Sequence, residues 1–327
     1  MSPRVVIAGG YGLVGGLVAR HLRAAGHELD LVLAGRNPGQ GEALAAELGA
    51  RTARLDVADP AAALAELGPV DLMIATLQDP GDNLLAAALR AGAAHIGIVR
   101  TADSMASSAV AATNLAQRPA LMLGHWQAGA LTLAALAAAK TFVRIDRIEL
   151  AALYDYADPI GPMTASDSGG FVGRALVREH GAWANLDAAA SARRVERGDL
   201  PAFAAMPMGV LDTPGLAAMT GARDVRFDLG TGTSIGTAGG GAASHDLYID
   251  ITGVAATGET TTRRTLMSDP KGQAHLTALG VLIGAERVLG LDGRAPPPAG
   301  FRLPETTVDP DWAVERLSSF GVRIEAA

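Results

Sequence analysis

The chain contains no cysteine. Disulfide staples, a thiolate nucleophile and a cysteine-held metal are therefore excluded. Lysine is nearly absent as well: Lys140 and Lys271 are the only two, so almost every positive charge is an arginine. Lys140 falls late in a predicted helix and Lys271 in a loop, and neither is placed for Schiff-base chemistry. No tyrosine stands four residues before a lysine, which removes the tyrosine–lysine pair of short-chain dehydrogenases. The seven histidines show no H-E-x-x-H or clustered spacing, so no metal site is expected. There is no excess of positive charge. The formal net charge is −7, which argues against a nucleic-acid partner. Long hydrophobic runs are also missing. The most apolar stretch, 128–139, is mostly alanine and too short to cross a bilayer. Arg4 before an apolar run resembles the opening of a signal peptide, but Gly9, Gly10, Gly12, Gly15 and Gly16 break that run. The expectation is a cytoplasmic protein with no membrane or nucleic-acid partner.

What is present begins with Val5-Val6-Ile7-Ala8-Gly9-Gly10-Tyr11-Gly12-Leu13-Val14-Gly15. The apolar run reads as a strand buried on both faces of a parallel sheet, and a helical pattern follows at once. Between them lies Gly10-x-Gly12-x-x-Gly15. Gly10 permits a tight turn, Gly12 leaves no side chain to block a pyrophosphate, and Gly15 lets the helix pack close to the strand. The helix N-terminus then faces the phosphates with its partial positive charge. Tyr11, Leu13 and Val14 complete the expected phosphate turn.

The alternation continues. Strands are expected at 29–34, 52–55, 70–75, 94–99 and 120–123, with helices at 40–48, from Asp59-Pro60, at 83–91 and up to about 117. This gives an α/β fold with a doubly wound parallel sheet. The grammar then changes. A helix is expected from 130 to about 142, a strand at 147–156, a helix at 169–180, a hairpin from 245–256 and 259–268, and an amphipathic helix at 273–289. That is a second, α+β domain with a mixed or antiparallel sheet. Residues 230–241, rich in glycine and threonine, read as a mobile lid or hairpin loop. The predicted division is 1–125, 126–295 and a C-terminal segment, 296–327, with a short helix at 311–320 and a strand at 322–325.

The end of the second strand bears on cofactor choice. Asp30 sits at the start of that strand rather than its end, where an acid would hold a ribose 2′-OH. The end reads Ala34-Gly35-Arg36-Asn37. Arg36 suits a 2′-phosphate, which calls for a planar cation with several donors. Asp56 follows the third strand and either contacts adenine or caps a turn. Thr76, Leu77 and Gln78 follow the fourth strand, at the sheet edge where the nicotinamide half is expected. The cofactor expected is NADP(H).

Taken together, Ala8-Gly9-Gly10-Tyr11-Gly12-Leu13-Val14-Gly15, Leu33-Ala34-Gly35-Arg36-Asn37-Pro38, the region 86–99 with Ala91-Gly92 and His95, and the C-terminal Leu303-Pro304-Glu305, Val308-Asp309-Pro310 and Gly321-Val322 resemble the saccharopine dehydrogenase-like family. The resemblance is good over about 1–140, weak over 145–290 and suggestive at the end. It implies a Rossmann domain, an inserted substrate domain and a C-terminal segment that returns to the first domain. It also implies hydride transfer from NADPH to a polarised double bond of a small molecule. Two departures stand out. Many relatives carry an aspartate just after strand five, where this chain has Val99-Arg100-Thr101. Relatives often carry Pro-Gly-Leu after strand six, where it has Gly124-His125-Trp126-Gln127.

Such a reductase must orient and protonate the acceptor. His125 is the first candidate for the proton, since its unperturbed pKa of about 6.5 suits transfer near neutrality. The alternative is a histidine that only holds its loop. Tyr154 is the second candidate. Trp126 is a candidate substrate contact or a packing residue, Tyr156 shares a face with Tyr154 and is a candidate substrate contact through its hydroxyl, and Arg100 is a candidate partner for a substrate carboxylate or a solvated arginine. Ser166, Asp167 and Ser168 read as a helix cap. Gly232-Thr233-Ser234-Ile235-Gly236 matches a nucleophile elbow, but the glycines after it promise no helix, so a hydrolase is not expected. The reading is an NADPH-dependent imine reductase. Reduction of an activated C=C or C=O bond, or a non-catalytic NADP-binding sensor or scaffold, stays open. A homodimer is expected on symmetry grounds.

Overall fold

The computed structural model describes residues 2–98, 105–161 and 173–327. Its contacts divide the chain into two units: Met1–Gly124 with Thr277–Val308, and His125–Leu276 with Asp309–Ala327.

Unit one is the doubly wound sheet. Strand β1 (Arg4–Ala8) is its axis, with Val5, Val6, Ile7 and Ala8 fully buried. β2 (Asp30–Gly35) and β3 (Arg51–Arg54) lie on one side of it. β4 (Leu72–Ala75), β5 (Ala94–Gly97) and β6 (Pro119–Met122) lie on the other, all parallel. Helices α1 (Leu13–Ala24), α2 (Glu42–Leu48), α3 (Pro60–Leu67), α4 (Asn83–Arg90) and α5 (Met105–Leu115) alternate with the strands. The strand order reverses between β1 and β4. In such sheets a ligand crevice opens there, at the carboxyl ends of the strands. At the opposite end of β1, Arg4 bonds Asp30 at 2.6 Å, so the start of β2 is closed by an ion pair.

Unit two opens with His125 and helix α6 (Ala130–Ala139). Its sheet contains β7 (Phe142–Tyr154), β8 (Arg174–Glu179), β9 (Ala182–Asp187), β10 (Arg193–Arg197) and β11 (Leu200–Pro207). After α7 (Asp212–Thr220) come β12 (Asp224–Thr231), the short α8 (Ile235–Ala238), β13 (His245–Ala255) and β14 (Thr260–Asp269). β12 runs parallel to β7 and β13 antiparallel to it, so the sheet is mixed, as expected. The predicted 245–256 and 259–268 hairpin is β13–β14.

The chain ends by visiting both units. Helix α9 (Gln273–Leu289) begins among unit-two residues and continues among those of unit one. β15 (Gly300–Arg302) adds to the parallel sheet beside β6, and α10 (Pro304–Thr307) follows. α11 (Pro310–Ser319) packs on α6, and β16 (Arg323–Ala326) pairs antiparallel with β14. Residues 296–327, read as one returning segment, are thus shared between the two units. Among the described residues no helix is long and apolar enough to cross a membrane.

Two local expectations fail. The helix expected at 169–180 is instead, over its described part, strand β8, which turns at once into β9. Ala175 and Val177 are fully buried, which is a strand's two-residue period. His180 and Gly181 take φ of +53° and +81°, the left-handed pair that a two-residue hairpin turn needs. Residues 230–241 are not a loose loop either. The backbone N–H of Ser234 donates to Asp155 at 2.9 Å, and that of Ile235 to Asp246 at 2.6 Å. Both carboxylates are buried, and they tie the segment to β7 and β13.

Candidate functional site

Within unit one, the glycine turn is built as a cradle. A Cβ on Gly15 would run into the Gly9 carbonyl, and one on Gly10 would lie 2.7 Å from the Ile7 carbonyl, so packing requires both to be bare. Gly12 differs. It is exposed, and a Cβ there would meet only the Gly9 oxygen, at 3.2 Å. Its bareness therefore keeps open the surface in front of α1. No acid lies in the first turn of α1, and no side chain caps it. The free backbone N–H groups and the positive end of the helix dipole are uncompensated there, which is how a phosphate is held. The residues present thus fit a dinucleotide. Leu13 is 42% exposed beside this opening, and Val14 is half-buried.

The other expected cofactor residues differ in fate. Thr76 is buried and donates its hydroxyl to the Ala8 carbonyl at 2.9 Å. It joins β4 to β1 behind the glycine turn. Leu77 is half-buried and Gln78 exposed beyond it. Asp56 accepts the Ala58 N–H at 3.0 Å, a turn cap. Arg36 is exposed past the end of β2 and makes no hydrogen bond to another described residue. The Asn37 N–H donates to the Tyr11 hydroxyl at 3.0 Å. Burial pushes the Asp30 carboxyl up, but the Arg4 and Arg51 guanidiniums outweigh it and hold the group below its usual range. Arg100, Ser166, Asp167 and Ser168 lie outside the described residues.

Within unit two, the sharpest feature is the turn from His125 into α6. Gln127 and Ala128 have φ of +52°, and Gly129 +89°. Left-handed backbone costs a non-glycine residue about 1–2 kcal/mol. Buried hydrogen bonds hold it in place. The Trp126 N–H donates to Asp212 at 2.7 Å. The Trp126 indole N–H and the Gln127 carboxamide meet Nε2 of His245 at 3.2 and 2.9 Å. Two donors on one ring nitrogen make that nitrogen the acceptor, so His245 is neutral and carries its proton on Nδ1. Burial pushes the His245 imidazole down to about 4, against the pull of Asp246 and Asp269. The Trp126 ring packs on Phe227, with centroids 5.1 Å apart.

His125 is buried, at 5% exposure. Asp212 is wholly buried in α7, and burial pushes its carboxyl up, while the His125 imidazole and the Thr132 hydroxyl pull it back. An imidazole beside a carboxylate is a pair that can hold and pass a proton. Tyr154 is half-buried at the end of β7 and donates to the Asp158 carbonyl at 3.3 Å. Its phenol is pushed up by burial and by Asp158. Tyr156 meets the Tyr154 ring edge-on at 5.4 Å and is 79% exposed.

No family model matches the chain, and no curated protein matches it by sequence. Solved structures do. Apo saccharopine dehydrogenase (L-Glu forming) from Saccharomyces cerevisiae aligns over 100% of both chains, with a TM-score of 0.73 and 13% identity. GenD2 from gentamicin A biosynthesis, in complex with NAD, aligns over 100% of this chain and 96% of its own, at TM-score 0.51 and 15% identity. An oxidoreductase from Agrobacterium radiobacter, in complex with NAD+, L-tartaric acid and magnesium, aligns over 99% and 98%, at 0.51 and 14%. The fold is saccharopine dehydrogenase-like.

On this saccharopine dehydrogenase-like frame, three residues matter that the sequence reading gave no role. His245 and Asp212 hold the His125–Gly129 turn. Asp158 is 3% exposed, and burial pushes its carboxyl up to about 6, with the neighbouring Asp269 and Asp155 adding to the push and the bond from the Gln273 N–H opposing it. Such a group exchanges protons near neutrality. No local pattern marks any of the three. The elbow-like Ser234 is settled differently from the sequence argument. A strand precedes it and helix α8 does follow. But its side chain is fully buried and caps α8, accepting from the Thr237 N–H at 3.2 Å, which commits the hydroxyl to structure.

Proposed function

We propose that this protein is an NADPH-dependent reductase of a small molecule with a C=N bond. The observation that carries the proposal is the cradle of unit one: bare Gly12 before an uncompensated helix start, with Arg36 as the free cation beyond β2. The bound nicotinamide supplies the hydride. The glycine turn and α1 bind its diphosphate, and Arg36 pairs with its 2′-phosphate. Asp30 is already engaged by Arg4 and Arg51 and takes no part in ribose recognition. His125 is the proposed proton donor, with the Asp212 carboxylate stabilising the imidazolium form. The C=N class comes from the saccharopine dehydrogenase-like resemblance, in which an amine and a carbonyl compound first join as an imine.

The test is a titration with NADPH and NADH, followed by reduced-nicotinamide fluorescence, with Arg36→Ala alongside. NADPH should bind more tightly, and the variant should fall towards the NADH value. Amine and carbonyl pairs are then screened for NADPH oxidation, where His125→Gln should lose turnover while keeping cofactor affinity. Equal binding of both nucleotides would refute the NADP assignment. A full turnover rate in His125→Gln would refute that histidine as donor.

A further inference from the structure

Tyr11 occupies a position that the glycine fingerprint leaves open. Its side chain crosses from the β1–α1 turn to the end of β2. There its hydroxyl accepts the Asn37 N–H at 3.0 Å. The ring lies over two glycines: a Cβ on Gly41 would come within 2.7 Å of Cδ1, and one on Gly35 would strike the hydroxyl itself. Ring and glycines are therefore mutually fitted, and the hydroxyl is held next to Arg36. Because that oxygen accepts from Asn37, its own O–H is left to donate. Among the described residues no acceptor takes it, and no carboxylate bonds Arg36 or Asn37. The end of β2 thus offers a guanidinium and a phenol as donors. A phosphate, with several acceptor oxygens and no need of a carboxylate partner, matches that set better than a ribose hydroxyl does.

We propose that Tyr11 is a specificity-determining residue of the cofactor site: it fixes the Arg36–Asn37 backbone and donates its O–H to the 2′-phosphate. The inference rests on the NADPH reading above and adds a second determinant to Arg36. Tyr11 also links the diphosphate end of the site to the 2′-phosphate end through a single side chain.

Calorimetric titration of the intact chain with adenosine 2′,5′-bisphosphate and with 5′-AMP tests this without turnover. Tyr11→Phe keeps the ring over Gly35 and Gly41 and removes only the hydroxyl. Its affinity for the bisphosphate should fall by about tenfold or more, the usual size for a lost bond to a charged group. Its affinity for 5′-AMP should stay unchanged, which also certifies the fold. Adding Tyr11→Phe to Arg36→Ala should cost less than it does alone, because one residue positions the other. An unchanged bisphosphate affinity in Tyr11→Phe, or an equal loss for both ligands, would overturn the role of Tyr11 while leaving the NADPH reading intact. A parent protein with no preference for the bisphosphate would overturn both.

Discussion

Asp212 and Trp126 are joined by a carboxylate-to-backbone bond of 2.7 Å, made where the carboxylate has no access to solvent. The other oxygen of Asp212 takes the Thr132 hydroxyl at 2.6 Å. One acid thereby grips the turn before its left-handed residues and the helix after them. A carboxylate accepts on both sides, whereas a carboxamide presents a donor on one. Thr132 can rotate to accept, but the Trp126 N–H cannot. Asp212→Asn can therefore keep both bonds, with its oxygen towards Trp126, whereas Asp212→Ala strands the Trp126 N–H and should destabilise the protein by about 1–3 kcal/mol, the cost of leaving a buried polar group unpaired. Denaturant unfolding reads it directly. Parent-like stability in Asp212→Ala would mean that the turn is held by something else.

His245 makes a pH prediction with a definite sign. Its folded imidazole titrates at about 4, below the ordinary histidine value of 6.5. As pH falls below about 6.5 the unfolded chain takes up a proton that the folded chain refuses until about 4. The stability contributed by the neutral ring is full above the upper value and lost progressively towards the lower. The loss is on the order of 2–3 kcal/mol. Asp158 works the opposite way in an overlapping window, because its raised carboxyl favours the folded state as pH falls from about 6. The two therefore partly cancel in the parent. His245→Gln should expose the difference: melting temperatures from pH 7.5 to 4.5 should decline less in the variant than in the parent. Parallel curves would refute a neutral, buried His245.

Two glycines of one fingerprint should behave differently. Gly15→Ala forces a methyl into the Gly9 carbonyl and should lower both stability and nucleotide binding. Gly12→Ala meets one oxygen at 3.2 Å on an exposed turn and should fold almost normally. Its methyl stands where the diphosphate is proposed to approach, so nucleotide affinity should still fall by about tenfold or more. Calorimetric melting and nucleotide titration separate the two effects. A Gly12→Ala protein that binds both nucleotides like the parent would remove the phosphate role of this turn.

Much of unit one was legible because its determinants are contiguous. The apolar run 5–8, the glycines at 10, 12 and 15, and the helix pattern after them stand next to one another in the chain. Each strand expected between 29 and 123 lies within two residues of an observed one at both ends. The β13–β14 hairpin was legible for the same reason, since Thr257-Gly258 and the alternation on either side form one local signal. The hairpin at His180-Gly181 carried a comparable signal, and the helical reading of 169–180 missed it.

The rest could not be read from neighbours. Trp126 meets His245, 119 residues away, and Asp212, 86 residues away. Local propensity speaks against φ of +52° at Gln127 and Ala128, so only the bonds from those distant residues make that turn possible. The glycine-rich stretch 230–241 looked loose because flexibility is what composition reports. Its order comes from Asp155, just past the end of β7, and Asp246 on β13. By itself the sequence determined the doubly wound sheet, the mixed second sheet and a bare glycine turn with an arginine at the end of β2. Tertiary structure alone decided which buried acids and imidazoles meet, because burial and long-range pairing, not spacing along the chain, set where their protons reside.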